Sequence, residues 1–311
     1  MSGALHKTVA KDDLYLFKSC QSGSWYPGIE RSLRYILNRL GVNYVDDPGQ
    51  SSCTGCGYHM GVIPLLTNLT LNARNLSRAS VSGRDNLICT CPTCYENLRE
   101  CRDLLDSEGP LRDRALAILE DCGLHYRPPS SIDHVSETLL EMSGRLLEIS
   151  RHRMEGVRFV AHHGCHYYKI FRGEVHSGDS EVPTVLDELG KRFGGIPLDY
   201  PERYLCCGAG FHHTLCSTDY PLEVMRRKYS GLLEVRPELM ITQCAGCTLN
   251  LDLYQESVLE ELGIQIEVPV LHAAELVALL MGAHPYRIVG IDMHAVPIEP
   301  LMRKLGVMEG I

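Results

Sequence analysis

The sequence predicts an α/β protein built as two pseudo-symmetric, Rossmann-like lobes with parallel sheets. Three observations carry that prediction. Short apolar runs alternate with segments of helical period along the chain, which is the pattern of strand–helix–strand units. The order of units occurs twice: strand, Cys, helix, strand, Cys- and Gly-rich loop, helix, strand, Cys-x-x-Cys, helix. Each cysteine loop falls where an apolar run stops, and in a parallel sheet that edge is where binding groups gather.

A chain of 311 residues with 44% apolar residues can bury a sizeable core, enough for two medium domains. The expected division is 1–150 and 151–311, the second lobe including a C-terminal tail. A net charge of −9 gives no electrostatic case for nucleic acid. The N-terminal Met-Ser-Gly-Ala-Leu-His-Lys lacks the apolar stretch of a signal peptide. The longest apolar window, Ala273 to Ala283, is too short to span a bilayer. The chain therefore reads as cytoplasmic. Fourteen cysteines in a reducing compartment point to metal binding or redox chemistry rather than structural disulfides.

In order, Leu14 to Phe17 is a strand ending at Cys20. Pro27 and Gly28 open a helix whose Ile29, Leu33, Ile36, Leu37 and Leu40 share one face, and Gly41 closes it. Val42 to Val45 is the next strand, followed by Cys53-Thr-Gly-Cys56. A helix with a stripe of Leu65, Leu66, Leu69, Ala73 and Leu76 follows. Asn86 to Ile88 is a strand leading to Cys91-Pro-Thr-Cys94, and Tyr95 to Leu105 is a helix. The stretch from Leu111 to Ser150, broken at Gly123 and Pro128-Pro129, reads as a helical connection between halves.

The second half repeats the plan. Val157 to Ala161 is a strand ending at Cys165, and Val182 to Phe193 a helix. A strand leads to Cys206-Cys207-Gly208. A helical region covers Pro221 to Leu233, and Leu239 to Thr242 is a strand leading to Cys244-Ala-Gly-Cys247. Thr248 to Leu262 is one helix ended by Gly263.

Spacing makes the cysteines a constellation. Forty residues separate Cys165 from Cys206 and 36 separate Cys207 from Cys244; 32 separate Cys20 from Cys53 and 34 separate Cys56 from Cys91. Zinc is one reading, since Cys53-x-x-Cys56 with Cys91-x-x-Cys94 resembles two zinc knuckles. A dithiol oxidoreductase is another, because Cys-x-x-Cys at a helix start favours a thiolate. An iron–sulfur cluster is the third. Adjacent Cys206 and Cys207 rarely both face one tetrahedral ion, and a fifth cysteine exceeds a closed zinc site, whereas a cluster of several irons accepts both.

At these residues the sequence resembles the cysteine-rich (CCG) domain family, and within it the B subunits of heterodisulfide reductase, over almost its whole length. The resemblance implies two copies of a Cys…Cys-Cys-Gly…Cys-x-x-Cys motif, each holding a non-cubane [4Fe–4S] cluster, with a disulfide cleaved between them. Pro-Val-Leu-His272 and the tail around His294 are also similar to those B subunits. The second motif is complete in Cys165, Cys206, Cys207, Cys244 and Cys247. The first departs: Gly55-Cys56-Gly57 stands where Cys-Cys-Gly is expected. Its ligands are then Cys20, Cys53, Cys56, Cys91 and Cys94, around a non-cubane or a cubane cluster, with Cys89 as a spare. The departure points toward a bacterial heterodisulfide-reductase-like homologue. The resemblance implies two partners, an iron–sulfur protein like the reductase's C subunit and a flavoprotein like its A subunit. The implied substrate is a disulfide or carrier-bound sulfur. An electron-transfer module without substrate chemistry is the alternative.

Histidine titrates near neutral pH, so His166 and then His213 are candidates to deliver a proton to a released thiolate. His162, His163 and His212 lie beside the same loops. Cys101, Cys122 and Cys216 read as buried apolar thiols, Lys18 and Lys169 as solvated charges, and Trp25 and Tyr26 as loop packing.

Overall fold

A computed structural model describes residues 13–170, 181–209 and 219–308. Each half builds one four-stranded parallel sheet. The first contains β1 (Asp13–Phe17), β2 (Asn43–Val45), β3 (Asn86–Cys89) and β4 (Ser131–His134), in the order β2-β1-β3-β4. The second contains β5 (Arg158–His162), β6 (Ile196–Pro197), β7 (Leu239–Thr242) and β8 (Val270–His272), in the order β6-β5-β7-β8. The central strands are apolar and buried on both faces, as parallel strands covered by helices must be. This is the predicted α/β fold.

The two sheets copy each other in register. Phe17 pairs with Cys89 and Cys89 with His134; His162 pairs with Thr242 and Thr242 with His272. In both, the chain leaves the first strand to one side and returns to the other. That reversal opens a crevice at the carboxyl ends of β1 and β3, and of β5 and β7.

The stretch 111–150 is more than a connection. Ser131–His134 is the fourth strand of the first sheet, and the helix Pro110–Asp121 packs on Leu65–Val81. Ser131 and Asp133 interrupt the apolar pattern there, which hides the strand. Both fourth strands end in a histidine that caps the next helix. His134 Nδ1 accepts from the Ser136 N–H and His272 Nδ1 from the Ala274 N–H, each at 3.2 Å, while Glu137 and Glu275 complete the capping boxes.

The helix expected over Thr248–Leu262 is broken at Tyr254 into Ala245–Leu253 and Gln255–Leu262. At the break the Gln255 side chain accepts from the Val268 N–H (2.8 Å) and donates to the Val268 carbonyl (3.0 Å), tying this turn to the strand beyond. The helix expected over Val182–Phe193 covers Val185–Arg192.

The lobes meet reciprocally. The helix Cys20–Ser24 of the first touches Ala245–Leu253 of the second, and Pro92–Asp106 of the first touches the π-helical turn His166–Ile170 of the second. Likewise Pro27–Leu40 packs on Ala273–Leu280, and Val185–Arg192 on Val135–Glu141. Contacts of i with j matched by j with i are what a two-fold relation produces. Among the described residues no helix is long and apolar enough to cross a membrane.

Candidate metal centre

The strand ends deliver the cysteines. Cys20 follows β1, Cys53 and Cys56 follow β2, and Cys91 and Cys94 follow β3; Cys165, Cys206, Cys207, Cys244 and Cys247 follow β5, β6 and β7 in the same way. Cys91 and Cys244 are the residues that precede the helices Pro92–Asp106 and Ala245–Leu253, so these thiols sit at helix N-termini, where the helix dipole favours a thiolate.

Two cavities hold the ten thiols. One, about 230 Å³, is lined by Cys20, Cys53, Cys56, Cys91 and Cys94. The other, about 200 Å³, is lined by Cys165, Cys206, Cys207, Cys244 and Cys247, with His166 in its wall. Gln21, Cys56 and Thr93 line both. Two glycines allow this closeness. A Cβ on Gly164 would come within 2.7 Å of Pro92 Cγ, and one on Gly246 within 2.7 Å of Gln21 Oε1. Both approaches join one lobe to the other.

Crowded thiols perturb one another. The Cys165 and Cys207 thiols and the Gly208 N–H (3.5 Å) hold Cys206 far below the ordinary thiol range. Its neighbours move up: Cys165 by the bond it gives Cys206, and Cys207 to about 12 for the same reason. In the first lobe the Cys244 and Cys94 thiols hold Cys91 low. Burial, with Cys91, Cys20 and Cys53 adding to it, pushes Cys56 up to about 12. Thiols crowded so that several oppose one another's ionisation fit a cationic group that neutralises them together. Thiolate donors select soft metals and iron–sulfur clusters. Five donors per cavity also exceed the four of a closed zinc site. His162 fits the same conclusion: it is buried beside these thiols, and among the described residues neither ring nitrogen has a hydrogen-bond partner.

The contacts correct the alignment of the first motif. Asn97 donates to the Cys53 carbonyl, and Asn250, three residues after Cys247 as Asn97 is after Cys94, donates to the Cys207 carbonyl at 2.6 Å. Cys53 perturbs Cys94 as Cys207 perturbs Cys247, and Ser52 neighbours Cys20 as Cys206 neighbours Cys165. Thr54 has φ 60° where Gly208 has φ 94°. Ser52-Cys53-Thr54, not Gly55-Cys56-Gly57, therefore stands in the place of Cys206-Cys207-Gly208. A serine replaces the first cysteine of the pair, and Cys56 adds a thiol one turn further on. Left-handed backbone is rare outside glycine. Thr54 is held there by a bond to Asn68, and the loop by Asn72, which donates to the Cys53 carbonyl at 2.9 Å.

The remaining candidates separate. His166 reaches the second cavity, and its Nδ1 is 3.7 Å from Glu96, whose other contact is His59 Nε2 at 2.8 Å. These three side chains join the lobes, with ligand atoms all within 4.8 Å of one another. His163 instead accepts from the Leu186 N–H (3.3 Å), and burial holds it down to about 3. His212, His213 and Cys216 lie outside the described residues. Cys89 and Cys101 are buried, but Cys122 is exposed, because it ends a helix at the surface. Trp25 is exposed and only Tyr26 packs inward. Lys18 pairs with Asp46 at 2.7 Å, and Lys169 donates to the Tyr204 carbonyl at 2.7 Å.

Sequence reasoning missed Lys228, which is fully buried and donates to Tyr200 Oη (3.0 Å) and the Glu202 carbonyl (2.7 Å), fixing the loop that leads to Cys206. It missed Glu96 and His59 as well. The repeated His-x-x-Glu of His134 and His272 was open to discovery from the internal repeat.

Comparison with known proteins follows the same outline. The model of the CCG cysteine-rich domain matches residues 14–99 and 159–252. The chain is 34% identical, over 97% of its length, to the B subunit of the ferredoxin:CoB-CoM heterodisulfide reductase of Methanosarcina acetivorans, of which it covers 99%. It is 30% identical, over 89% of its length, to a protein of Archaeoglobus profundus described as like the heterodisulfide reductase B subunit, of which it covers 93%. Both organisms are archaea, so the expected bacterial placement gains no support from them. A crystal structure of a hypothetical protein from Helicobacter pylori shares the fold at a TM-score of 0.72 and 16% identity, covering 92% of this chain. This chain spans 52% of that one.

Proposed function

The chain belongs to the cysteine-rich CCG domain family, among the heterodisulfide reductase B subunits, and from that premise we propose that it is the iron–sulfur component of a cytoplasmic complex that makes or breaks disulfides in one-electron steps. Cys165, Cys206, Cys207, Cys244 and Cys247 would hold a non-cubane [4Fe–4S] cluster. Cys20, Cys53, Cys56, Cys91 and Cys94 would hold a second, non-cubane or cubane. The two lobes, 1–150 and 151–311, would each be one such unit.

The single observation that supports this most is the wall shared by the two cavities, with Cys56, Gln21 and Thr93 facing both. A sulfur compound lodged there lies within reach of both thiol sets. When bound, the clusters supply electrons one at a time and iron to meet a substrate sulfur. Cleavage of R–S–S–R′ takes two electrons and two protons and yields two thiols. The chain's part is to exclude water, hold the sulfur at the shared wall, and bring a proton. His166, in the wall beside Cys165 and 3.7 Å from Glu96, would give one. His213 remains the second choice. No dinucleotide fingerprint occurs in the sequence. Electrons would therefore come from a flavoprotein partner of the A-subunit type and an iron–sulfur partner of the C-subunit type.

Ser52, in the place of Cys206, favours a second reading: the first site only passes electrons on. One experiment separates the two. Disulfides and thiols are added to the reduced, anaerobically purified protein and the cluster EPR is followed. Substrate chemistry changes the spectrum; a spectrum indifferent to every disulfide and thiol leaves electron transfer alone.

A further inference from the structure

His162 ends β5 and Phe17 ends β1 at the matching register, each three residues before the first cysteine of its motif. The two positions are equivalent, yet one carries an imidazole and the other an apolar ring. Phe17 is fully buried and asks only for packing. His162 is 1% exposed, and among the described residues neither of its ring nitrogens has a hydrogen-bond partner. Folded proteins seldom keep a buried polar group in that condition. A ring nitrogen of His162 and the thiols of Cys207 and Cys247 lie within 4.8 Å of one another. The partner that the described residues do not provide is then provided by what those thiols hold.

We infer that His162 donates a ring N–H to sulfur of the C-terminal cluster and holds its potential above that of the N-terminal cluster, where Phe17 has no proton to give. The inference rests on the cluster reading above. A donor to cluster sulfur stabilises the extra negative charge of the reduced form, so it raises the potential. An imidazole carries at least one ring N–H whichever nitrogen bears it, so a donor is available at this position. Electrons entering the protein would therefore settle in the C-terminal site, beside the complete five-cysteine set and His166.

The test is an EPR redox titration of anaerobically purified protein, with iron and sulfide measured on the same samples. In His162→Phe, which gives the second lobe the first lobe's residue, the C-terminal signal shifts to lower potential and the N-terminal signal stays. His162→Gln, which retains an N–H donor, recovers part of the shift. A fully loaded His162→Phe protein with an unmoved C-terminal potential overturns the proposal. Should His162→Phe fail to load, unaltered protein with ¹⁵N-labelled histidine decides by pulsed EPR. A weak histidine-nitrogen coupling to the C-terminal cluster supports donation. No coupling, or the strong coupling of an imidazole bound to iron, refutes it. Absence of iron and sulfide from the unaltered protein strikes the cluster reading itself.

Discussion

Cys91 and Cys244 hold the same place in the two lobes, each directly before the helix of its Cys-x-x-Cys motif, and their buried thiols lie close enough across the seam to perturb each other. The Cys244 and Cys94 thiols hold Cys91 low, while Cys244 is lowered by Cys247 but driven up on balance by Cys91 and burial. The two sites are thus in direct contact through equivalent residues.

Loss of one partner should be felt at both sites. Cys244→Ala removes a thiol from the set proposed to hold the C-terminal cluster, and with it a neighbour that holds Cys91 low. The expected outcome is loss of about half the iron and sulfide, with a changed EPR signal from the cluster that remains. Chemical analysis with EPR checks this. A remaining signal identical to that of the unaltered protein would show the sites to be independent.

Ser52 in the place of Cys206 makes a paired prediction. Ser52→Cys puts a thiol beside Cys20, as Cys206 sits beside Cys165. The N-terminal EPR signature should move toward the C-terminal one, and Cys206→Ser should do the reverse. If neither substitution alters a spectrum, the register drawn between the lobes has no bearing on ligation.

The two asparagines behind the cysteine loops should differ in weight. Asn250→Ala strips the Cys207 carbonyl of its donor, at an expected cost of about 1–3 kcal/mol. Asn97→Ala leaves Asn72 still donating to the Cys53 carbonyl, so its cost lies toward the lower end. Urea unfolding of the anaerobic protein measures both. Equal costs would contradict the arrangement.

His294 gives a pH dependence. Its ring lies 3.2 Å from Asp252 and 3.6 Å from Glu275. Burial opposes the charge, but Glu275 and Asp252 outweigh it and raise the pKa to about 10. A group raised on folding stabilises fully below its unfolded value, near 6.5, and loses that contribution as pH climbs through the folded value. Melting temperature should therefore fall between about pH 6.5 and 10, and His294→Gln should flatten that slope. A variant with the same slope excludes His294 as its source.

Much of this is legible in the sequence because strong patterns write it. Apolar runs such as Leu14 to Phe17 and Leu239 to Thr242 are buried on both faces, and the cysteines at their ends lead straight to the cavities. What stays hidden depends on distant contacts. The strand Ser131–His134 is polar at two of four positions, so its place comes from pairing with β3 and not from its own residues. The first motif reads out of register because Gly55-Cys56-Gly57 looks more like Cys-Cys-Gly than Ser52-Cys53-Thr54 does. The Asn97 and Asn250 bonds, with the left-handed backbone at Thr54 and Gly208, reveal the match. Glu96 and Lys228 lie among ordinary helix residues, and nothing local marks them as buried.

The reciprocal packing of the lobes bears on how the molecule came to be. An axis passing between Cys91 and Cys244 is where two copies of a shorter, one-lobed ancestor would have met as a symmetric pair. In such a pair every change strikes both halves at once. Joined end to end, the copies are free to drift apart one residue at a time. Ser52 opposite Cys206, and Phe17 opposite His162, are the marks of that freedom.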